Sequence, residues 1–219
     1  MLAGRPGNPS NPMPRRFRIL ILTALSLAAA ATAGLWALMI LAPVPQITRS
    51  GTAAIGGPFT LLDTSGTTVT DRSYSGKWLL IFFGYTFCPD ACPTALSNIS
   101  VALDKLGSDA GKLQAVFITV DPQRDTREVM ADYLKSFDSR IVGLTGSPDQ
   151  IEHVVKEYRV YAAREKSETT GGDYLVSHSA YIYLMNPQGQ FVNVIAGNEL
   201  GEEIAARLRK EMARERVKG

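Results

Sequence analysis

Cysteine and histidine are scarce in this chain, with only two of each among 219 residues. That count excludes a small fold held together by many disulfides, and it also excludes a pair of zinc fingers. Hydrophobic residues make up 45% of the sequence and charged residues 20%. This composition excludes a disordered chain, a collagen and a coiled coil. No internal repeat is visible, so a solenoid is not expected.

Acidic residues are absent before Asp63, whereas arginines are present at the N-terminal end. Arg15, Arg16 and Arg18 flank an uncharged run of 24 residues, Ile19–Ala42. At about 1.5 Å rise per residue, a helix of this length crosses a hydrocarbon core roughly 30 Å thick. The sequence therefore predicts a transmembrane anchor over residues 19–42.

A cleaved signal peptide is the alternative, since Ala31-Thr32-Ala33 could supply a cleavage site. The apolar run continues well beyond that point, which favours an uncleaved anchor. The arginine flank predicts a cytoplasmic N-terminus. We expect a cytoplasmic arm over residues 1–18, a linker over 43–57 and an exported domain over 58–219. This single-pass protein would lie in the inner (cytoplasmic) membrane with its domain in the periplasm, or in the mitochondrial inner membrane of a eukaryote.

The region after the predicted anchor is long enough for one domain with a proper core. It contains 19 basic and 21 acidic residues, so the basic excess of the whole chain belongs to the N-terminal arm. A slightly acidic domain lacks the positive charge that nucleic-acid binding requires. We therefore expect no nucleic-acid partner.

Apolar runs alternate with amphipathic segments along this domain, which predicts an α/β fold with a mixed sheet flanked by helices. We expect a leading hairpin over 59–62 and 67–70, and a later one over 180–185 and 191–195. Between them, buried strands are expected over 78–83, 115–120 and 141–144. Helices are expected over 92–106, after an N-cap at 125–126, from 148 onward, and over 199–214.

Both cysteines lie in the loop between the first buried strand and the first helix, where parallel α/β sheets form their sites. Cys88 and Cys92 are four residues apart around the helix start, so their sulfurs can face one point. Free N–H groups and the helix dipole favour thiolate there. A structural disulfide is the alternative, although it would close a short loop and add little stability. A pair of thiolates is also a soft donor set that suits Cu(I).

The two histidines have different settings. His153 lies off the apolar stripe of its predicted helix, so we interpret it as a solvated residue. His178 directly precedes the strand expected over 180–185. The turn before that strand faces the cysteine loop in thioredoxin-type sheets. An imidazole there would complete a set of two sulfurs and one nitrogen, which can hold Cu(I) and, with a further oxygen, Cu(II).

Three ordered motifs resemble those of the Sco/SenC family. Residues 84–94, GYTFCPDACPT, resemble its copper-binding motif; residues 120–126, VDPQRDT, resemble its second signature. Residues 173–179, DYLVSHS, resemble its third signature, with His178 as the ligand histidine. The resemblance spans roughly residues 55–215 and includes the membrane anchor. It implies a thioredoxin-like fold and a metallochaperone that helps to assemble the binuclear copper site of cytochrome c oxidase, whose copper-site subunit would be the partner.

Two positions depart from the family pattern. Ser177 stands where an acidic residue commonly precedes the histidine, which could weaken a contact that orients His178. Ala91 replaces a larger aliphatic residue, and we expect that change to affect packing only.

Other residues near these motifs have competing interpretations. Asp121 and Asp125 could tune the site electrostatically, but a loop-shaping role for Asp121 and a helix-capping role for Asp125 are favoured. The aromatic side chains of Tyr85, Phe87 and Tyr174 would either shield a metal or fill the core. Asp90, between the cysteines, is a candidate for partner docking.

Two further function classes stay open at this point. A thiol–disulfide reductase would keep the cysteines of a target copper site reduced, with Cys88 and Cys92 as its redox pair. Other copper carriers or thiol reductants would then be partners as well. A thiol peroxidase would need Cys88 as an isolated nucleophile of low pKa. Beyond such redox chemistry, the sequence predicts a carrier and no catalytic residues.

Overall fold

A computed structural model of the chain describes residues 14–41, 55–166 and 174–218. The chain divides into two compact units, Met1–Ser50 and Gly51–Gly219. We describe each unit by itself. Most of the predicted N-terminal arm and linker, together with Asp173 of the third motif, lies outside the described residues.

The described part of the first unit is one helix, α1, Arg15–Leu41. It includes nearly all of the predicted transmembrane segment, residues 19–42. Among the described residues, no helix combines the length and the apolar character that crossing a membrane requires. The structure therefore does not support the anchor, which stays a prediction.

The second unit contains the predicted alternation of strands and helices. Its elements are β1 Thr60–Asp63, β2 Thr68–Thr70, β3 Trp78–Gly84, α2 Ala91–Leu106, β4 Leu113–Thr119, α3 Arg127–Leu134, β5 Ile141–Thr145, α4 Pro148–Glu157, β6 Ala162–Lys166, β7 Tyr174–His178, β8 Tyr181–Met185, β9 Phe191–Ala196 and α5 Gly201–Lys218.

Within the described residues, seven strands form one sheet in the order β2-β1-β5-β4-β3-β8-β9. The central strands β3, β4 and β5 are parallel, whereas β1, β2, β8 and β9 are joined by antiparallel pairing. This is the predicted thioredoxin-like α/β fold with a mixed sheet. In the β3–β4 register Gly84 lies opposite Thr119. The loops that follow these two residues therefore leave the same edge of the sheet.

Strand β3 is buried along its whole length because helices cover both faces of the sheet. Its alternate side chains belong to different apolar clusters, with Phe82 in one and Phe83 in the other. Helix α2 packs Leu96 and Leu103 into the first cluster, and α4 packs Val154 into the second. This two-sided burial explains the uninterrupted apolar run of β3.

A two-stranded sheet of β6 and β7 was not predicted. These strands read Ala-Ala-Arg-Glu-Lys and Tyr-Leu-Val-Ser-His, and only Val176 in them is fully buried. Without an alternating apolar pattern, the sequence gives little signal for a strand. The sequence predicted that His178 lies in a turn. In the structure His178 is instead the last residue of β7.

Helices were predicted to start after residues 125–126 and at 148, and the structure has a capping residue at each start. Ser147 caps α4 and accepts a hydrogen bond from the Gln150 N–H. At α3 the cap is Thr126, whose hydroxyl accepts from Val129 N–H at 3.3 Å. The predicted capping role for Asp125 is wrong, because its buried carboxylate accepts hydrogen bonds from Thr86 and Thr119 and not from the start of α3.

Adjacent residues of α3 provide a test of this packing. Met130 is fully buried, whereas Val129 is 38% exposed. We expect Met130→Ala to lower the free energy of unfolding by about 2–5 kcal/mol, because the lost side chain leaves a cavity. Val129→Ala should change it by about 0.5 kcal/mol or less. Chemical denaturation of the domain measures both, and equal effects would contradict the packing.

Candidate metal centre

The loop between β3 and α2 brings the two cysteines together. Cys92 lies in the first turn of α2 and is fully buried, whereas Cys88 is partly exposed. The Cys92 backbone N–H donates to Cys88 Sγ at 3.4 Å. Both thiols are free, so the structure has the reduced form of the pair. The helix start therefore places Cys88 where the positive end of the dipole favours thiolate.

The two sulfurs have opposite protonation preferences. A hydrogen bond from the Cys92 thiol lowers the pKa of Cys88 to about 4, and contacts with His178 and the Cys92 N–H add to the effect, which burial opposes. The same hydrogen bond, together with burial, raises the pKa of Cys92. At neutral pH the pair is therefore one thiolate and one thiol.

His178 approaches the cysteines from β7. Its Nε2 lies 3.3 Å from Cys92 Sγ, and its Nδ1 lies 3.2 Å from the Ser179 carbonyl oxygen. A carbonyl can only accept, so Nδ1 donates to Ser179 and Nε2 is the nitrogen that faces the sulfurs. The aromatic rings of Phe82 and Tyr85 stand edge-on to the imidazole, with centroids 6.1 and 5.8 Å away. The histidine is thus oriented by Ser179, although Ser177 offers no carboxylate.

Cys88, Cys92 and His178 offer ligand atoms that all lie within 4.8 Å of one another. Two sulfurs and one imidazole nitrogen form a soft donor set that fits Cu(I) and extends to Cu(II). The structure thus brings together the three residues that the sequence singled out. His153 lies elsewhere, on the exposed face of α4, with its Nε2 3.1 Å from the Pro58 carbonyl oxygen.

Asp125 joins the cysteine loop to the loop after β4. Its buried carboxylate accepts hydrogen bonds from the Thr86 hydroxyl at 2.6 Å, the Thr119 hydroxyl at 2.6 Å and the Thr86 N–H at 3.1 Å. Burial raises the pKa of Asp125, and these hydrogen bonds oppose that effect. The residue is therefore structural, as the sequence favoured. It holds the loop that leads to Cys88 through hydrogen bonds and does not cap α3.

Asp121 has a second structural role in the same loop. It is fully buried, forms an ion pair with Arg124 and accepts a hydrogen bond from the Tyr174 hydroxyl at 2.7 Å. Sequence reasoning missed the contact between Arg124 and Tyr174, which are fifty residues apart. The one available signal was that both residues lie in motifs of the same family.

Of the aromatic residues around the loop, Tyr85 is buried and Phe87 is exposed. Tyr85 is buried, and its hydroxyl accepts from Val176 N–H at 3.3 Å, so it fills the core beside His178. Phe87 is 53% exposed, with the Arg124 guanidinium 4.8 Å from its ring centroid. Asp90 is exposed beside Cys88, and its docking role stays a prediction.

Comparison with known proteins gives concordant results. A family model described as SCO1/SenC matches residues 47–213. Protein sco1 of Schizosaccharomyces pombe is 40% identical over a match of 197 residues, and the match covers 85% of this chain and 75% of that protein. Protein SCO1 homolog 1, mitochondrial, of Arabidopsis thaliana is 45% identical over 150 residues, which are 68% of this chain but only 44% of that longer protein. The structure of Bradyrhizobium japonicum ScoI with copper bound has 50% identity and a TM-score of 0.67, and the match covers 72% of this chain and 99% of that one.

The asymmetry between the sulfurs predicts their reactivity. In the reduced, copper-free protein we expect iodoacetamide to modify Cys88 before Cys92, because Cys88 is the partly exposed thiolate. The rate at Cys88 should be nearly constant between about pH 6 and about pH 8, since its pKa lies below that range. Mass spectrometry of quenched samples gives the rate at each site.

The control is the same protein unfolded in urea, in which both thiols have ordinary pKa values near 8.5 and react faster as the pH rises. A folded-state rate at Cys88 that rises about tenfold per pH unit would show an ordinary thiol.

Proposed function

The chain belongs to the SCO1/SenC family, and from that premise we propose that it is a membrane-anchored copper metallochaperone. In this proposal Cys88, Cys92 and His178 bind one copper ion, which the protein delivers to the binuclear copper site of cytochrome c oxidase. The observation that carries the proposal is the convergence of these ligand atoms to within 4.8 Å of one another. Copper here is cargo, to be bound and released.

The protonation states suit loading with Cu(I). The Cys88 thiolate is partly exposed and provides the first soft ligand. Binding to the second sulfur requires the Cys92 thiol to lose its proton. The positive charge of the copper ion then compensates the negative charge of the thiolate that is left. His178 then adds Nε2, which already faces the sulfurs. The sulfurs suffice for Cu(I), whereas Cu(II) requires the imidazole as well.

Two relatives add support. The structures described as ScoI with copper bound, from Bradyrhizobium japonicum and Arabidopsis thaliana, share 50% and 41% identity with this chain. The family implies assembly of cytochrome c oxidase, so the copper-site subunit of that enzyme is the proposed partner. Exposed Phe87 and Asp90 flank Cys88 on the surface through which a partner would reach the copper.

Thiol–disulfide reduction is the second candidate, and the low pKa of Cys88 favours it. The Cys88 thiolate would attack a target disulfide, releasing one target thiolate, which takes up a proton, and forming a mixed disulfide with the other target sulfur. Cys92, after losing its proton, would then attack Cys88 Sγ, release the second target thiolate and close an internal disulfide. A peroxidase is disfavoured, because Cys88 is hydrogen-bonded to Cys92 and therefore not an isolated nucleophile.

We also propose the domain arrangement expected from the sequence: a cytoplasmic arm over residues 1–18, an anchor over 19–42, a linker over 43–57 and the copper-binding domain over 58–219. Large apolar side chains are exposed at the consecutive positions Ile19, Leu20, Ile21 and Leu22 of α1. Consecutive positions point to all sides of a helix, and such a helix needs an apolar environment all round. The copper domain would then face the periplasm, or lie at the mitochondrial inner membrane in a eukaryote.

The three proposed ligands should contribute differently to the two copper states. We expect Cys88→Ala and Cys92→Ala to reduce the copper retained after dialysis to about a tenth or less in both states, because one sulfur is lost. His178→Ala should retain Cu(I) but lose most Cu(II), together with the thiolate-to-copper absorption. Metal stoichiometry and visible spectra under reducing and oxidising conditions measure these effects.

His153→Ala is the matched control, because the other histidine lies on an exposed helix face. An unchanged Cu(II) spectrum in the His178 variant would remove that residue from the site. A wild-type protein that binds no copper but turns over disulfides would favour the reductase instead.

The anchor proposal has its own test. We expect the full chain to fractionate with membranes and to resist extraction by high salt and alkali, because apolar contact with lipid is insensitive to both. Deletion of residues 1–42 should give a soluble protein with the same copper stoichiometry. Extraction of the full chain by alkali would contradict the anchor.

A further inference from the structure

The hairpin that bears His178 is not part of the main sheet. Strands β6 and β7 pair with each other, and across the described residues no backbone hydrogen bond joins them to the seven-stranded sheet. The cysteines, in contrast, follow directly from the central strand β3. Apart from the short chain connection through Ser179 and Ala180 to β8, the position of this hairpin against the cysteines therefore rests on side-chain contacts.

Four side chains at the opposite end of β7 form what we call the Asp121 cluster: Asp121, Arg124, Arg164 and Tyr174. Asp121 is fully buried and accepts a hydrogen bond from the Tyr174 hydroxyl at 2.7 Å. Arg124 pairs with Asp121 and donates through Nη1 to the Tyr174 carbonyl oxygen at 2.9 Å. Arg164 of β6 lies 3.5 Å from the same carboxylate. Both strands are thus connected to the loop after β4.

The aromatic ring of Tyr174 also makes cation–π contacts with two arginines. The Arg124 and Arg164 guanidinium carbons lie 3.8 and 4.7 Å from its centroid. Contacts of this kind with a cation are attractive, and most so where water is excluded. The first residue of β7 is therefore fixed by its hydroxyl, its ring and its carbonyl. A carboxylate buried away from water needs these partners, so the cluster has one preferred arrangement.

Between this cluster and the metal centre, β7 makes a further polar contact, with the first residue of the loop after β3. The Val176 N–H donates to the Tyr85 hydroxyl at 3.3 Å. Residues alternate along a strand, so Tyr174, Val176 and His178 share one face of β7. The side chains of Tyr174 and His178 contact Asp121 and Cys92, and Val176 is buried in the apolar cluster that contains Cys92, so all three lie on the cysteine side of β7. Displacement of the first residue would move the last.

We propose that the Asp121 cluster positions His178, so that its hydrogen bond from Tyr174 sets the affinity for Cu(II) while leaving Cu(I) binding nearly unchanged. The inference rests on the proposed copper-binding function. Cu(I) is satisfied by the two sulfurs, and in the described residues none of the hydrogen bonds of these sulfurs involves Tyr174. Cu(II) requires the imidazole, so it is sensitive to where the hairpin lies.

Tyr174→Phe is the sharpest test, since it removes the hydroxyl and keeps the ring for both arginines. We expect about a tenfold loss of Cu(II) affinity, in the range seen when groups that orient a ligand are removed, with Cu(I) affinity changed by about twofold or less. Tyr161→Phe is the matched control, because this tyrosine lies just before β6 and is 59% exposed. It should change neither affinity.

A double-mutant cycle shows whether Tyr174 acts through His178. In a His178→Ala background, Tyr174→Phe should have no further effect on Cu(II), because the ligand it positions is gone. An equal tenfold loss in both backgrounds would overturn the proposal and indicate a general structural effect. If the wild-type protein binds no copper, the proposed function itself fails. If the wild type binds copper and Tyr174→Phe has unchanged Cu(II) affinity, only the positioning role of the Asp121 cluster is rejected.

Hydrogen exchange in the copper-free protein gives a second readout that needs no metal. Tyr174→Phe should speed exchange at the Val176 amide, which donates to Tyr85, while leaving the β3 amides unchanged, because only the hairpin is loosened. Asp121→Asn also removes the charge that pairs with Arg124 and Arg164, so it should speed exchange at Val176 at least as much. Uniformly faster exchange, or none at β7, would contradict the positioning role.

Discussion

The carboxylate of Asp125 is the contact on which the metal centre depends. Parallel pairing of β3 and β4 brings their following loops to one edge, and the Val120 N–H donates to the Gly84 carbonyl oxygen at 2.8 Å to begin that junction. Asp125 then receives hydrogen bonds from Thr86 on one side and Thr119 on the other. Burial of a carboxylate is costly unless it is fully hydrogen-bonded, so these partners allow little variation in the loop that leads to Cys88.

Close packing behind the cysteines imposes a second constraint. A Cβ atom on Gly84 would lie 2.6 Å from Cys92 Sγ and 2.9 Å from the Phe117 ring, so only glycine fits there. Cys92 is consequently pressed against the end of β3, with burial that favours its protonated form. Cys88 remains at the surface and carries the negative charge. One loop thus gives the two sulfurs different accessibility and different charge.

Much of this arrangement was predictable because the signals are local. The apolar run of β3, Ser147 at the start of α4 and the two cysteines at a helix start each follow from short-range rules. The β6–β7 hairpin was not predictable in the same way, because few of its residues are buried and no alternation marks them. The Thr86–Asp125 hydrogen bond and the Tyr174–Asp121 contact join residues 39 and 53 positions apart, which no local pattern specifies. Family motifs identified His178 although its strand went unrecognised.

The division of ligands between two sheets bears on how a carrier can both hold and release copper. The sulfurs follow β3 directly, with Cys92 buried in the main core at the start of α2, whereas the imidazole belongs to a hairpin fastened by side-chain contacts. Contacts of that kind can be exchanged without disturbing the apolar core, because neither β6 nor β7 contributes a backbone hydrogen bond to the seven-stranded sheet within the described residues. A partner that competes with His178 Nε2 for copper would therefore displace the ligand that is less firmly attached to the core. In the proposed carrier function, the soft sulfur pair would retain the ion until a second soft site is in reach, so that copper would not pass through water.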